Sequence, residues 1–187
     1  WSVIRCRPQR NAYHRFTVDR HLCEAAANSA EFVDRVDRPD LLVVGTLLHD
    51  IGKGRPGDHT DVGIDLIAEI APRMGFDEED TRVLQQMCRH HLLLPDTATR
   101  RDLSDDGTIS FVAESVGSLS CLRLLDALTE ADSLATGTAA WGSWKAELVG
   151  VLVDRVAHVL AGGSVADATD TGFPTAHQRD LLAQRRR

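Results

Sequence analysis

The sequence predicts an all-α protein, a helical bundle closed around a buried polar centre. Three observations carry that expectation. Apolar residues recur at three- and four-residue spacing through most of the chain, no segment alternates apolar and polar with period two, and Gly, Pro, Asp and Ser fall between the periodic segments, where helices start and stop.

The first helix is expected from Thr17, which can cap it, with the stripe Val18, Leu22, Ala25, Ala26, Ser29, Val33 and Val36. Arg20 at its third position leaves no capping box. A second helix runs from Pro39, a residue suited to a first turn, to about Ile51. Its stretch Leu41–Leu48 is apolar almost all round, which marks it as central and buried. Gly52, Gly54, Pro56 and Gly57 then make a loop. Asp58 caps a third helix that reaches about Met74 and closes at Gly75, and Asp77 caps a fourth to about Leu93. Pro95–Arg101 is expected as one short turn. Three further helices are expected over Thr108–Val116, Ser118–Ala135 and Ser143–Leu160. After Ala161-Gly162-Gly163 the pattern fades, so residues 162–187, ending in Arg185-Arg186-Arg187, are expected as a flexible linker. Residues 1–13 are then a lead-in and 14–161 the domain. No internal repeat occurs.

Bulk properties narrow the function. A length of 187 residues fits one domain with a tail, and 43% hydrophobic residues can bury a sizeable core. A formal net charge of -7 and a pI near 5.6 argue against a general nucleic-acid or membrane-surface binder. In an acidic protein that handles phosphates, the same balance favours a metal site over a basic groove. The cysteines at 6, 23, 88 and 121 form no C-x-x-C pair, which fits reduced thiols in a cytoplasmic protein. No apolar run approaches the roughly 20 residues of a membrane span. The start is not a signal peptide and lacks Met, as expected of a piece of something longer.

Polar residues that interrupt an apolar helix stripe are the informative ones, because burial without a partner costs several kcal/mol. His21 lies on the inward side of the first helix. His49 and Asp50 follow the aliphatic run of the second. His59 starts the stripe Val62, Leu66 and Ile70, His91 follows Leu84, Met87 and Cys88, and Asp132 shares a face with Leu125, Leu128 and Ala135. His90 and His91 diverge by about 100° and could flank a cleft. The set His21, His49, Asp50, His59, His90, His91 and Asp132 supplies nitrogen and carboxylate ligands and no thiolate, a mix that suits Mn, Fe, Zn, Ni or Mg. Asp50 can bridge two ions, and two ions about 3.5–4 Å apart are the usual device for splitting phosphate esters. Lys53, just past Gly52, is expected beside a phosphate oxygen as a catalytic group with Asp50. Arg55 is a weaker candidate for that work. His14 has no expected metal role, and His158 and His177 are assigned to packing and linker.

His21, then His49-Asp50 in Leu48-His49-Asp50-Ile51-Gly52-Lys53, then Asp132, resembles the HD superfamily of metal-dependent phosphohydrolases over about residues 14–160. The resemblance implies an all-helical HD-domain bundle with a buried metal site. His59 and His90-His91 resemble the subset with two ions, in which the HD aspartate bridges. A narrower resemblance rests on Pro8–His21, Gly57-Asp58-His59-Thr60, Arg89-His90-His91-Leu92-Leu93-Leu94 and Ala131-Asp132-Ser133-Leu134-Ala135-Thr136-Gly137 with Trp141 and Trp144-Lys145. These stretches are similar to the HD domain of the bifunctional PII uridylyltransferase/uridylyl-removing family. The resemblance implies removal of UMP or AMP from a tyrosine of the PII nitrogen-signalling protein, release of the nucleotide monophosphate, two divalent ions (Mn, Fe, Mg or Zn), and flanking nucleotidyltransferase and ACT domains. Two alternatives stand beside it: an HD phosphodiesterase for a free nucleotide, and a non-catalytic metal-stabilised relay. A cyclic-di-GMP specificity is disfavoured, because His91 is followed by Leu92-Leu93-Leu94-Pro95 and not by a Glu and a Gly-Tyr-Pro segment.

Overall fold

The computed structural model describes residues 1–9, 13–137 and 139–170, and these are helical with no strand among them. In chain order the helices are α1 (Val18–Ser29), α2 (Pro39–Leu48), α3 (His59–Ile70), α4 (Glu78–His90), α5 (Leu93–Arg100), α6 (Asp106–Val116), α7 (Leu119–Thr136), α8 (Ser143–Leu160) and α9 (Val165–Asp170). Side-chain caps fix several starts as expected. Asp58 accepts from the Thr60 and Asp61 amides and Asp77 from Asp80, while Ser118, expected inside its helix, instead caps it by accepting from Cys121. Gly75, at φ 96°, ends the short 3-10 helix Pro72–Met74 in the left-handed conformation that a Cβ disfavours.

Two packed cores share α7. One collects Val18 and Leu22 of α1, Leu41, Leu42 and Leu48 of α2, Ile67 of α3 and Leu84 and Met87 of α4 around Leu124, Ala127, Leu128 and Ala131 of α7. The other sets Leu94 of α5, Ile109 and Val112 of α6, and Val149, Leu152 and Val156 of α8 against Leu122 and Leu125 of α7. A helix apolar on two faces can serve both, which explains why α7 is buried along most of its length. Close approach of α2 to α4 depends on Gly45, since a Cβ there would lie 2.5 Å from the Met87 thioether.

Several expectations need correction. Helix α3 ends at Ile70 and α4 at His90, each short of its expected end, and Leu93–Arg100 is an eight-residue helix where one short turn was expected. Thr17 precedes α1 but does not cap it, because its hydroxyl donates to Asp19 at 2.7 Å. Residues Ala30–Arg35 leave the α1 path as a 3-10 helix, so Val33 and Val36 are not part of one α-helical stripe. Helix α2 stops at Leu48, and the next amides tighten into three-residue turns: Ile51 N–H to Leu48 O at 3.0 Å and Lys53 N–H to Asp50 O at 3.0 Å. The cause is the His49 ring, whose Nδ1 lies 2.7 Å from Thr46 O, the carbonyl that an uninterrupted helix would give to the Asp50 amide. Finally, residues 165–170 of the expected linker form α9. Ser164 Oγ accepts from the Asp167 amide, Thr169 donates to Asp106 at 2.7 Å, and Ala168 is buried. Residues 171–187, with His177 and the terminal arginines, lie outside the described residues. His158 packs against Gly163 as expected.

No single described helix is long and apolar enough to cross a membrane.

Candidate metal centre

Five elements converge on one point. His21 comes from α1, His49 and Asp50 from the turn after α2, His59 from the first position of α3, His91 from the end of α4, and Asp132 from α7. His21, His49, Asp50 and His91 are buried to 4% exposure or less. Among the described residues, the ligand atoms form two groups in which every atom lies within 4.8 Å of the others: His21 with His49 and Asp50, and Asp50 with His59 and His91. Asp50 belongs to both. Its Oδ2 is 3.5 Å from His49 Nε2, and its Oδ1 is 3.7 Å from both His59 Nε2 and His91 Nε2. Asp132 Oδ1 joins the first group, 2.9 Å from His21 Nε2 and 3.5 Å from His49 Nε2.

Local folding aims these atoms. The His49 and His91 rings each donate from Nδ1 to the carbonyl three residues back, Thr46 O and Cys88 O, both at 2.7 Å. A carbonyl can only accept, so Nδ1 carries the hydrogen, and in the neutral ring Nε2 is left as a bare lone pair facing the centre. The Cys88 thiol donates to the His49 carbonyl at 3.3 Å, and burial pushes that thiol up to about 12, so it stays protonated. The loop glycines bring α3 in. A Cβ on Gly52 would lie 2.0 Å from the His59 carbonyl oxygen and 2.6 Å from the Gly63 amide nitrogen.

Charge and hydrogen bonding both call for a cation here. Burial opposes ionisation of Asp50, but His49, His91 and Lys53 overcome it and hold the carboxyl well below the usual range. Burial likewise opposes ionisation of Asp132, and His49 and His21 hold it well down. At His49 burial disfavours the imidazolium, yet Asp50 and Asp132 outweigh burial and raise the ring to about 10. His91 stays lowered, because burial there exceeds the pull of Asp50. His49 Nε2 and Asp50 Oδ1 are buried without a hydrogen-bond partner. The carboxylates that favour a proton on His49 Nε2 would equally favour a divalent cation in its place, which would take up both that nitrogen's lone pair and the orphaned Asp50 Oδ1.

The centre opens into a cleft of about 1080 Å³ whose lining includes Asp50, Lys53, His59, His91, Asp132, Ser133 and Lys145. Lys53 pairs with Asp50 and donates to Gln9 Oε1 at 2.8 Å. Of the residues expected at the site, His21, His49, Asp50, Lys53, His59, His91 and Asp132 are brought together. His90 is not. It lines a separate depression with Arg89, Leu93, Arg100, Arg101 and Phe111, because one residue along a helix rotates a side chain by about 100° and α4 can turn only one of the pair inward. Arg55 is exposed and not part of the cleft lining. Conversely, sequence reasoning passed over Gln9, His14, Ser133 and Lys145 as cleft residues. The His14 ring stands 5.1 Å from that of His21, and burial lowers its basicity. A signal existed for Lys145 in the stretch from Ala131 to Lys145, though not in its helical pattern.

A helical bundle with an H…HD…D set around one cleft defines a class. The sequence matches the HD domain family over residues 18–135, and the chain belongs to that family. HD domains bind divalent metals, and the two His/Asp groups here could hold them. Along 98% of its length the chain is 55% identical to the bifunctional uridylyltransferase/uridylyl-removing enzyme of Streptomyces coelicolor, of which it covers 22%. It is 50% identical to the enzyme of the same description from Mycobacterium tuberculosis, over 91% of this chain and 21% of that one. With the Gluconobacter oxydans enzyme the identity is 40%, over 97% of this chain and 20% of the relative. The chain therefore spans about a fifth of the length of these curated relatives.

Proposed function

We propose that this chain is a phosphodiester hydrolase domain that removes a nucleotidyl group, UMP or AMP, from a tyrosine of the PII signal protein. The observation that carries the reading is Asp50, one carboxylate common to two ligand groups. In this reading His21, His49, Asp50 and Asp132 hold one divalent cation, and Asp50, His59 and His91 hold a second. Mn, Fe, Mg or Zn would all suit this donor set. When bound, such a pair would supply an acidified water and neutralise charge on the phosphoryl oxygens. The protein's own groups do the rest. His49 and His91 present fixed Nε2 lone pairs, Asp50 spans the two groups, and Lys53 offers an ammonium beside Asp50 for a phosphoryl oxygen. A tyrosine leaves with a pKa near 10, so the departing oxygen needs a donor but no strong acid.

The likeness to the uridylyl-removing enzymes supports the substrate, and the flanking partners would be nucleotidyltransferase and ACT domains of a cytoplasmic parent protein. We take residues 14–161 as the HD domain of that parent. The test is to incubate the full-length protein with nucleotidylated PII and to follow the PII mass and the released monophosphate. Metal-dependent return of PII to its unmodified mass is expected. Cleavage of free nucleotides with no action on nucleotidylated PII would overturn the substrate.

A further inference from the structure

The cleft holds a second lysine that the metal centre does not use. Lys145, in the first turn of α8, reaches back across the α7–α8 connection. Its ammonium donates to Ser133 Oγ and to the Ala140 carbonyl, each at 3.1 Å. It also stands 5.7 Å from the centre of the Trp141 ring. The two lysines differ in what neutralises them. Lys53 is paired with the Asp50 carboxylate. Lys145 is half-buried and bound only to neutral oxygens; among the described residues no carboxylate pairs with it within 4.0 Å, although Asp132 and Asp96 act on it from farther away. An ammonium has three N–H groups. Two are spent on Ser133 and Ala140, which leaves one for a group in the cleft that Lys145 lines. Burial lowers its basicity, so its charge is costly to keep without an anion nearby.

Cleavage of an aryl phosphodiester places charge at two locations. The non-bridging phosphoryl oxygens carry one, and in the proposed function these fall to Lys53 and to the site that His21, His49, Asp50, His59, His91 and Asp132 would form for metal. The other develops on the oxygen that departs. We infer that Lys145 is the hydrogen-bond donor to the departing tyrosine oxygen, held in position by Ser133 and Ala140. This rests on the phosphodiesterase reading above and adds its leaving-group side. As the bond from water oxygen to phosphorus forms, the phosphorus–phenolic oxygen bond breaks and its electron pair stays on the phenolic oxygen. Lys145 stabilises that oxygen by a charge-assisted hydrogen bond, and the proton that the attacking water gives up to cleft water is returned to it, so the products are the nucleoside monophosphate and the free phenol.

The test compares Lys145→Met with the wild type in the full-length protein on two aryl esters of a nucleoside 5′-monophosphate. In the phenyl ester the leaving group is as basic as tyrosine, near pKa 10. In the 4-nitrophenyl ester the leaving oxygen needs little help. Lys145→Met is expected to lower kcat/KM for the phenyl ester and for nucleotidylated PII by about 100-fold, and for the nitrophenyl ester by less than about threefold. Lys145→Arg, which restores a cationic donor, is expected to recover most of the phenyl-ester rate. Bound metal should be unchanged in both variants, which separates a local loss from misfolding. Equal losses on the two esters, or no loss on either, would overturn the assignment. A wild type active on the esters but inert on nucleotidylated PII would overturn the proposed protein substrate and leave the Lys145 result standing. A wild type inert on all three would overturn both.

Discussion

The two ligand groups around Asp50 are built differently. His21, His49 and Asp132 come from helices that pack directly in one core, and the His21 and His49 side chains are at most 1% exposed. His59 and His91 come from the start of α3 and the end of α4, and the His59 side chain is 36% exposed. Within the inner group His21 and His49 are fixed by the packing of α1 and α2, whereas in the outer group His59 stands at the cleft where the glycine-rich loop delivers α3. Metal titration is therefore expected in two steps, the inner ion tighter and the outer one exchangeable with the cleft.

Asp50→Ala removes the shared carboxylate, and it is expected to abolish both steps and to lower hydrolysis by about 10³-fold or more, read by metal content and turnover. Retained turnover after loss of metal would break the scheme at its root. Gly52→Ala acts first on the outer group. The new Cβ collides with the His59 backbone, so the outer ion should be lost and the inner retained, with hydrolysis down on the order of 10²-fold. His91→Ala tests the same division by deleting a ligand, and a fall in stoichiometry from two ions to one is the expected outcome of elemental analysis. His90→Ala, one residue away, should leave both ions bound and activity within about twofold of wild type.

A final substitution separates the centre from the rest of α7. Burial raises Asp126 to about 6, helped by Glu130 and Asp154 and opposed by Arg35. A carboxyl raised in the folded state binds more protons there than in the unfolded chain, so its contribution falls as pH rises from about 4 through 6. Asp126→Asn should therefore stabilise by about 2 kcal/mol at neutral pH, with the gain vanishing below about pH 4 and no change in metal content. Denaturant melts at several pH values check this. A gain that persists in acid would assign the effect to something other than ionisation.

Helix placement was largely legible because apolar spacing and capping residues agree, as at Asp58 and Asp77. The departures arose where a side chain took over a backbone role. His49 occupies the Thr46 carbonyl and ends α2 early, and the Thr17 hydroxyl turns to Asp19 and not to the helix. Helix α9 was hidden because six polar and small residues carry too little periodicity to reveal Ala168 as buried. At the site, His21, His49, Asp50, His59, His91 and Asp132 stood out as polar breaks in apolar stripes. Spacing already set His91 on the stripe of Leu84, Met87 and Cys88; His90 was kept only because its neighbour about 100° round the helix could still have reached the cleft, and α4 is turned so that it does not. Lys145 fell within a stretch that carried the resemblance but not among the expected site residues, because a lysine in the first turn of a helix looks solvated and no helical spacing sets it beside Ser133.

The pairing of the His49 and His91 rings with the carbonyls of Thr46 and Cys88 has a consequence for assembly. Each ring ends a helix and points a lone pair with the same bond, so helix termination and ligand orientation cannot be uncoupled by rotating the side chain. Both sockets are thereby cut to shape by the backbone before any ion arrives. A cation entering this centre meets nitrogens whose direction is already decided, and the ordering cost of recruiting those two ligands is met during folding and not during capture.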